Sequence, residues 1–195
     1  TTNKKEYYQK IKILTSSGIT KNPRDYKKKI NKRWYYEQHF LSLNFRMSDI
    51  NAALGLSQTK KINFFVRKRN QIARNYNRTL SGLNIRLPKN FKDKYSSFHL
   101  YVIKVDKSIR NKLFDYLIKN KIYVNLHYLP VHLQPFYKAM KIKRGDLLNS
   151  EEHALSAISL PIFPDLKKIE QTRIVKVIRL FFKRNKDYND SSKKR

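Results

Sequence analysis

The sequence predicts an α/β chain whose second half is a compact α+β unit. Residues 98–105 (FHLYVIKV) alternate in hydrophobicity and are rich in branched and aromatic side chains, the pattern of a strand. Ile174, Val177, Ile178 and Phe181 recur at helical spacing, as do Ile62, Phe65, Ile72, Tyr76 and Leu80. With 40% hydrophobic and 13% aromatic residues in 195, the chain can bury the core of one domain or one and a half.

Tyr7, Tyr8, Ile11 and Leu14 predict a helix over residues 4–14, with Gly18 available for a left-handed termination. Residues 21–38 carry Pro23 and a basic run without periodicity, so they read as a long irregular connection, the kind of loop that is often functional. Ser48 or Asp49 can cap a helix whose inner face is Ile50, Ala53 and Leu54. A second helix runs to Leu80 and ends at Gly82. After the 98–105 strand, Ser108 is placed to cap a helix through Leu113, Leu117 and Ile118, and residues 122–126 read as another strand. Residues 149–158 read as a helix opened by a capping box, Asn149 with Glu152. Residues 159–164 read as a buried strand and turn, and the tail 185–195 as a charged, frayed end.

Composition excludes more than it assigns. No cysteine means no disulfide and no thiolate metal site, which fits a cytoplasmic location. No apolar run approaches the length of a membrane span. His127 and His132 stand five apart across a Pro-interrupted stretch, which does not place two ligands on one helical face, so no metal site is expected. Glycines at 18, 55, 82 and 145 cannot make a phosphate loop. Lys and Arg number 44 against 14 Asp and Glu, a net charge of +30 that attracts polyanions. These cations are dispersed, with no RNA-recognition signature or Cys/His module beside them, which argues against a nucleic-acid interface. A basic, non-catalytic module that binds nucleic acid remains the alternative from another functional class.

Six blocks in order point elsewhere: 34–36 with 43–58 (LNFRMSDINAALGLSQ), 97–101, 124–137 (VNLHYLPVHLQPFY), 144–146, 149–151 and 158–164 (ISLPIFP). Together they resemble the DegT/DnrJ/StrS family of sugar aminotransferases, which use pyridoxal 5′-phosphate. The 124–137 block looks most like the transaminases of pseudaminic acid synthesis, which aminate a UDP-linked 4-keto-6-deoxy sugar. The resemblance implies the C-terminal part of a fold-type I aminotransferase: residues 1–47 the end of the large domain with an irregular dimer-region loop, 48–82 a helical crossover, and 83–184 the α+β small domain.

By resemblance, Asn44 donates its amide to the cofactor phosphate of a neighbouring subunit, and Arg46 contacts that phosphate or the sugar nucleotide. His127 and Tyr128 match positions that face the sugar nucleotide. His132, Gln134 and Tyr137 read as structural. The implied partners are a UDP-linked sugar, an amino-acid donor such as glutamate, and a second copy in a homodimer. A dimerisation partner of a complete homologue is a further alternative. Thr1-Thr2-Asn3 is similar to the end of a segment that follows the cofactor-holding lysine, so this reading places that lysine and the acid for the pyridine nitrogen ahead of the chain, and no catalytic residue within it. Lys4 and Lys5 stand at a helix start and are poor substitutes. The chain departs from the family pattern at Ser42-Leu43, at Thr15-Ser16-Ser17, and at Lys121, where a glycine is usual and Asn120 becomes the expected left-handed cap.

Overall fold

The computed structural model of the chain describes residues 1–30, 32–89 and 93–185, with the side chains of 138–140 set aside. The charged tail therefore lies, apart from Asn185, outside the described residues. Two compact units are present, Thr1–Lys60 and Lys61–Arg195.

The first unit opens with α1 (Lys5–Leu14). Ser17 and Gly18 then take left-handed backbone, φ +59° and +71°, which turns the chain into β1 (Ile19–Thr20). That strand pairs antiparallel with β2 (Glu37–Gln38), with Ile19 opposite Gln38 and Thr20 opposite Glu37. The connection between them holds one 3₁₀ turn, Pro23–Asp25, with Asn22 accepting the Arg24 N–H. Next comes α2 (Asp49–Thr59), capped by Ser48, whose hydroxyl accepts the Asn51 N–H at 3.3 Å. The inner face expected for this helix is not covered: Ile50 is 82% and Leu54 61% exposed.

The second unit holds the core. An antiparallel ladder joins β3 (Tyr101–Lys104) to β4 (Ala157–Leu160), in register Tyr101↔Leu160 through Lys104↔Ala157. The helices are α3 (Ile62–Leu80), α4 (Lys107–Lys119), α5 (Leu148–Ser156) and α6 (Lys168–Arg184). Most of the apolar positions read from periodicity on α3 and α6 face inward: Ile72, Tyr76 and Leu80 meet Ile174, Val177, Ile178 and Phe181 in one cluster with Leu113, Leu117 and Ile158, whereas Ile62 at the start of α3 is exposed and Phe65 lies outside the cluster. Burying each such side chain contributes roughly 1.5–3 kcal/mol. The two central phenols are satisfied. Tyr76 donates to the Pro161 carbonyl at 3.0 Å and Tyr101 to Asn77 Oδ1 at 2.6 Å, while burial pushes both phenols up.

Four local expectations need correction. The cap of α4 is Asp106 and not Ser108: its carboxylate, a stronger acceptor than a hydroxyl, accepts from the Ser108 N–H and hydroxyl. Residues 122–126 form no ladder, only one bridge, Asn125 to Ser159, on the edge of β4 that β3 leaves free. Lys121 itself takes the left-handed φ of +56°, while Asn120 stays at −87°. The 149–158 helix begins at Leu148 without a side-chain cap and ends at Ser156, and Ile158 belongs to β4. Glu151, rather than Glu152, is the glutamate that turns inward.

Candidate functional site

Asn44 is positioned through the backbone. It sits opposite Ser16 in an antiparallel bridge, with the Ser17 N–H donating to Leu43 O and the Phe45 N–H to Thr15 O, both at 3.1 Å. The Ser42 hydroxyl, at one of the departures from the family pattern, adds a bond to Leu14 O at 2.7 Å. Arg46 reaches back to its neighbour: its Nε donates to Asn44 Oδ1 at 2.7 Å. A guanidinium has only donors, so this bond fixes which end of the amide is which. The oxygen is engaged and, among the described residues, the Nδ2 amide has no acceptor. Arg46 also lines a cleft of about 910 Å³ together with Lys12, Ser16, Ser17, Lys21 and Asn22.

Within the connection from 21 to 38, one residue that the sequence reading passed over does the organising. Glu37 is buried at 9% exposure and collects four donors: the Lys27 N–H at 2.7 Å, the Lys28 N–H at 2.9 Å, the Tyr35 hydroxyl at 3.0 Å and His39 Nε2 at 2.8 Å. Burial alone would raise its carboxyl, but the hydrogen bonds from His39, the two amides and Tyr35 outweigh it and hold the group at about 2. A depressed folded-state pKa means stability that is present above the ordinary value of 4.5 and is lost as pH falls from there through about 2. The Lys27 and Lys28 amide-proton shifts are therefore expected to titrate with a midpoint near 2; a midpoint at an ordinary carboxylate value would mean the carboxylate does not hold the loop.

In the second unit, His127 and Tyr128 follow the Asn125 bridge, where Ser159 N–H donates to Asn125 O at 2.8 Å. His127 Nδ1 is hydrogen-bonded to Ser159 Oγ at 2.8 Å, and its carbonyl accepts from His153 Nε2 at 3.1 Å. This leaves Nε2 as the ring nitrogen available to a ligand. Tyr128 packs edge-on against the imidazole, centroids 4.7 Å apart, with its phenol 69% exposed. Ser159 is thus more than the buried strand residue expected of the 159–164 segment. It sits 32 residues from His127, beyond the reach of any spacing rule.

His132 and Glu151 close the segment that follows. His132 Nε2 donates to Glu151 Oε1 at 3.0 Å and the Gly145 N–H donates to the same oxygen at 2.8 Å. The His132 bond first, and then the Gly145 amide, hold the Glu151 carboxyl below its usual range. His132 is buried and structural, as read from the sequence. Asn44 and Arg46 thus form one pair in the first unit, and His127 and Tyr128 another in the second. Among the described residues no cluster of His, Cys, Asp and Glu is arranged to hold a metal, and no helix is long and apolar enough to cross a membrane.

Known proteins resemble this chain over nearly its whole length. An uncharacterized protein of Methanocaldococcus jannaschii is 34% identical over 194 residues, covering 95% of this chain and 50% of its own length. The UDP-4-amino-4,6-dideoxy-N-acetyl-beta-L-altrosamine transaminase of Campylobacter jejuni (strain 81-176) is 30% identical over 178 residues, 89% of this chain and 44% of its own. Among solved structures, Helicobacter pylori PseC, an aminotransferase involved in the biosynthesis of pseudoaminic acid, superposes with a TM-score of 0.81 at 26% identity, over 94% of this chain and 48% of that one. The chain spans about half the length of the curated relatives it matches. The α/β architecture is that of part of an aminotransferase. With residues 1–179 matching its model, the chain belongs to the DegT/DnrJ/EryC1/StrS aminotransferase family.

Proposed function

We propose that this chain is part of a cytoplasmic enzyme that transfers an amino group, from glutamate, to the keto carbon of a UDP-linked 4-keto-6-deoxy sugar for surface-glycan synthesis. The observation that carries the reading is the Arg46–Asn44 pair, which presents one amide as a fixed donor. The family works with pyridoxal 5′-phosphate, and the donor set fits its phosphate end. A neutral amide and the remaining N–H groups of a guanidinium bind oxyanion without needing to change protonation. When bound, the cofactor supplies an electron sink for moving nitrogen between donor and sugar.

The remaining roles belong to this chain's own side chains. Asn44 Nδ2 donates to a phosphate oxygen, and Arg46 holds the amide in that orientation. His127, steadied by Ser159, offers Nε2 to a sugar hydroxyl, and Tyr128 offers its phenol and an apolar face. Leu43, Phe45 and Met47, 64–72% exposed beside Asn44, suit burial against another polypeptide, which supports assembly as a homodimer. Domain roles follow the same reading: residues 1–47 complete the large domain, 48–82 cross over, and 83–184 form the small domain.

The test is complementation. The chain is co-expressed with the first half of the C. jejuni relative, a 1:1 complex is isolated, and transamination of the keto sugar by glutamate is measured. Asn44→Ala is expected to weaken cofactor binding about 10- to 100-fold, the worth of one hydrogen bond to a charged group. His127→Ala is expected to raise KM for the sugar and leave cofactor affinity unchanged. A stable complex whose cofactor affinity ignores Asn44→Ala would sink the assignment.

A further inference from the structure

Away from these residues, α3 and α6 enclose a second recess. It measures about 500 Å³ and is lined on one wall by Lys68, Gln71, Arg74, Asn75 and Arg78, and on the other by Lys168 and Gln171. Four of these are cations and none is an acid. On α3, residues 68, 71, 75 and 78 are spaced three, four and three apart, so they share one helical face. Glu170, the acid in the first turn of α6, is engaged by the Lys167 N–H at 2.7 Å.

The floor of the recess is organised by hydrogen bonds. Gln171 is only 4% exposed; its Nε2 donates to the Ile72 carbonyl at 2.8 Å. Its Oε1 accepts from Asn75 Nδ2 at 2.8 Å, and Asn75 Oδ1 in turn accepts from Arg78 Nη2 at 2.8 Å. A buried amide anchored on backbone therefore orients a second amide, which orients a guanidinium. One N–H of the Arg78 fork is engaged this way and the rest of the fork remains for an oxyanion. Lys68 contributes a flexible charge whose Nζ lies 5.7 Å from the Phe64 ring centroid.

We propose that this recess binds a small phosphate-bearing anion, with Arg78 as the oriented contact and Lys68, Arg74 and Lys168 as the surrounding charge. Its volume falls within the range of sites for small ligands, roughly 300–1,000 Å³. Duplex nucleic acid is met by cations along a ridge or stripe that follows its backbone, whereas these cations surround a hollow. The guanidinium fork and the absence of any lining carboxylate select for doubly charged oxyanions over neutral sugars.

The test uses the 195-residue chain and inorganic pyrophosphate, by calorimetry and amide-shift mapping in about 150 mM salt, where diffuse attraction is screened beyond about 8 Å. The expected result is one site per chain, with shifts confined to residues 68–78 and 164–171. Arg78→Ala and Lys168→Ala are each expected to weaken binding at least about tenfold, the loss of a charge-assisted contact. Lys119→Ala, in the exposed last turn of α4, removes the same charge elsewhere and is expected to change affinity less than twofold or so. Asn75→Ala keeps the charge but frees Arg78, and a roughly threefold or greater loss is expected. Equal losses for all three charge variants, several equivalent sites per chain, or a duplex that displaces pyrophosphate with higher affinity would each overturn the proposal.

Discussion

Gly18→Ala is expected to dislodge the segment that presents Asn44, at a cost on the order of 3 kcal/mol. Two effects combine. At φ +71°, an alanine adopts a left-handed backbone at a cost of roughly 1 kcal/mol. The larger effect is steric, because a Cβ at this position would lie 1.8 Å from the Phe40 carbonyl oxygen and 2.6 Å from its carbon. Both are backbone atoms, so no rotamer change relieves the clash. Residues 39–45 must move as a piece, and with them the His39 N–H that donates to Gly18 O at 2.8 Å and the Phe45 N–H on Thr15 O. Hydrogen exchange at the His39 and Phe45 amides checks this. Unchanged protection in the alanine variant would show that the crossing of 18 and 40 is not tight.

The second large effect lies in the other unit. Tyr76→Ala is expected to cost about 4 kcal/mol, because it empties a ring-sized volume from a close-packed core. Tyr76 is fully buried, its ring tilted against Tyr101 with centroids 4.9 Å apart. Tyr76→Phe keeps that volume and removes only the bond to Pro161 O, so about 1 kcal/mol is expected. Denaturant titration of both variants separates the two contributions. If Phe and Ala cost the same, packing is not what Tyr76 provides. Pro161 follows β4 directly, so both variants also loosen the strand that carries Ser159 and holds His127.

What could be read ahead of the structure follows from which interactions are local. The faces of α3 and α6 were readable because burial imposes its period on neighbouring residues, and Tyr76 or Ile178 falls where the period puts it. The same reasoning misjudged α2, since periodicity marks an apolar face but not whether anything covers it. Ser108 was read as the cap where Asp106 takes that place, because both side chains can cap and only geometry chooses. Residues 122–126 have strand composition, yet composition does not say how many residues of a segment stay in register with a neighbour, and only Asn125 does so, on the edge of β4 that β3 leaves free. At the site, the resemblance named Asn44, Arg46, His127 and Tyr128, while the groups that orient them were beyond reach of spacing. Ser159 acts on His127 across 32 residues and, in the neighbouring loop, Glu37 acts on the Lys27 and Lys28 amides across ten and nine, gaps that no local pattern encodes.

The chain's one tryptophan, Trp34, stands in the loop that Glu37 gathers, 75% exposed and edge-on to Tyr35, whose hydroxyl bonds that carboxylate. Indole emission from this protein is therefore a local signal: it follows the loop of the first unit and is blind to the core of the second. Tyrosine and phenylalanine bands come from both units, from Tyr26 and Tyr35 in the first and from Tyr76, Tyr101 and Phe182 in the second. A melt recorded in indole fluorescence follows the first unit, whereas one recorded in near-ultraviolet dichroism sums both, and the difference between the two curves is what the second unit contributes.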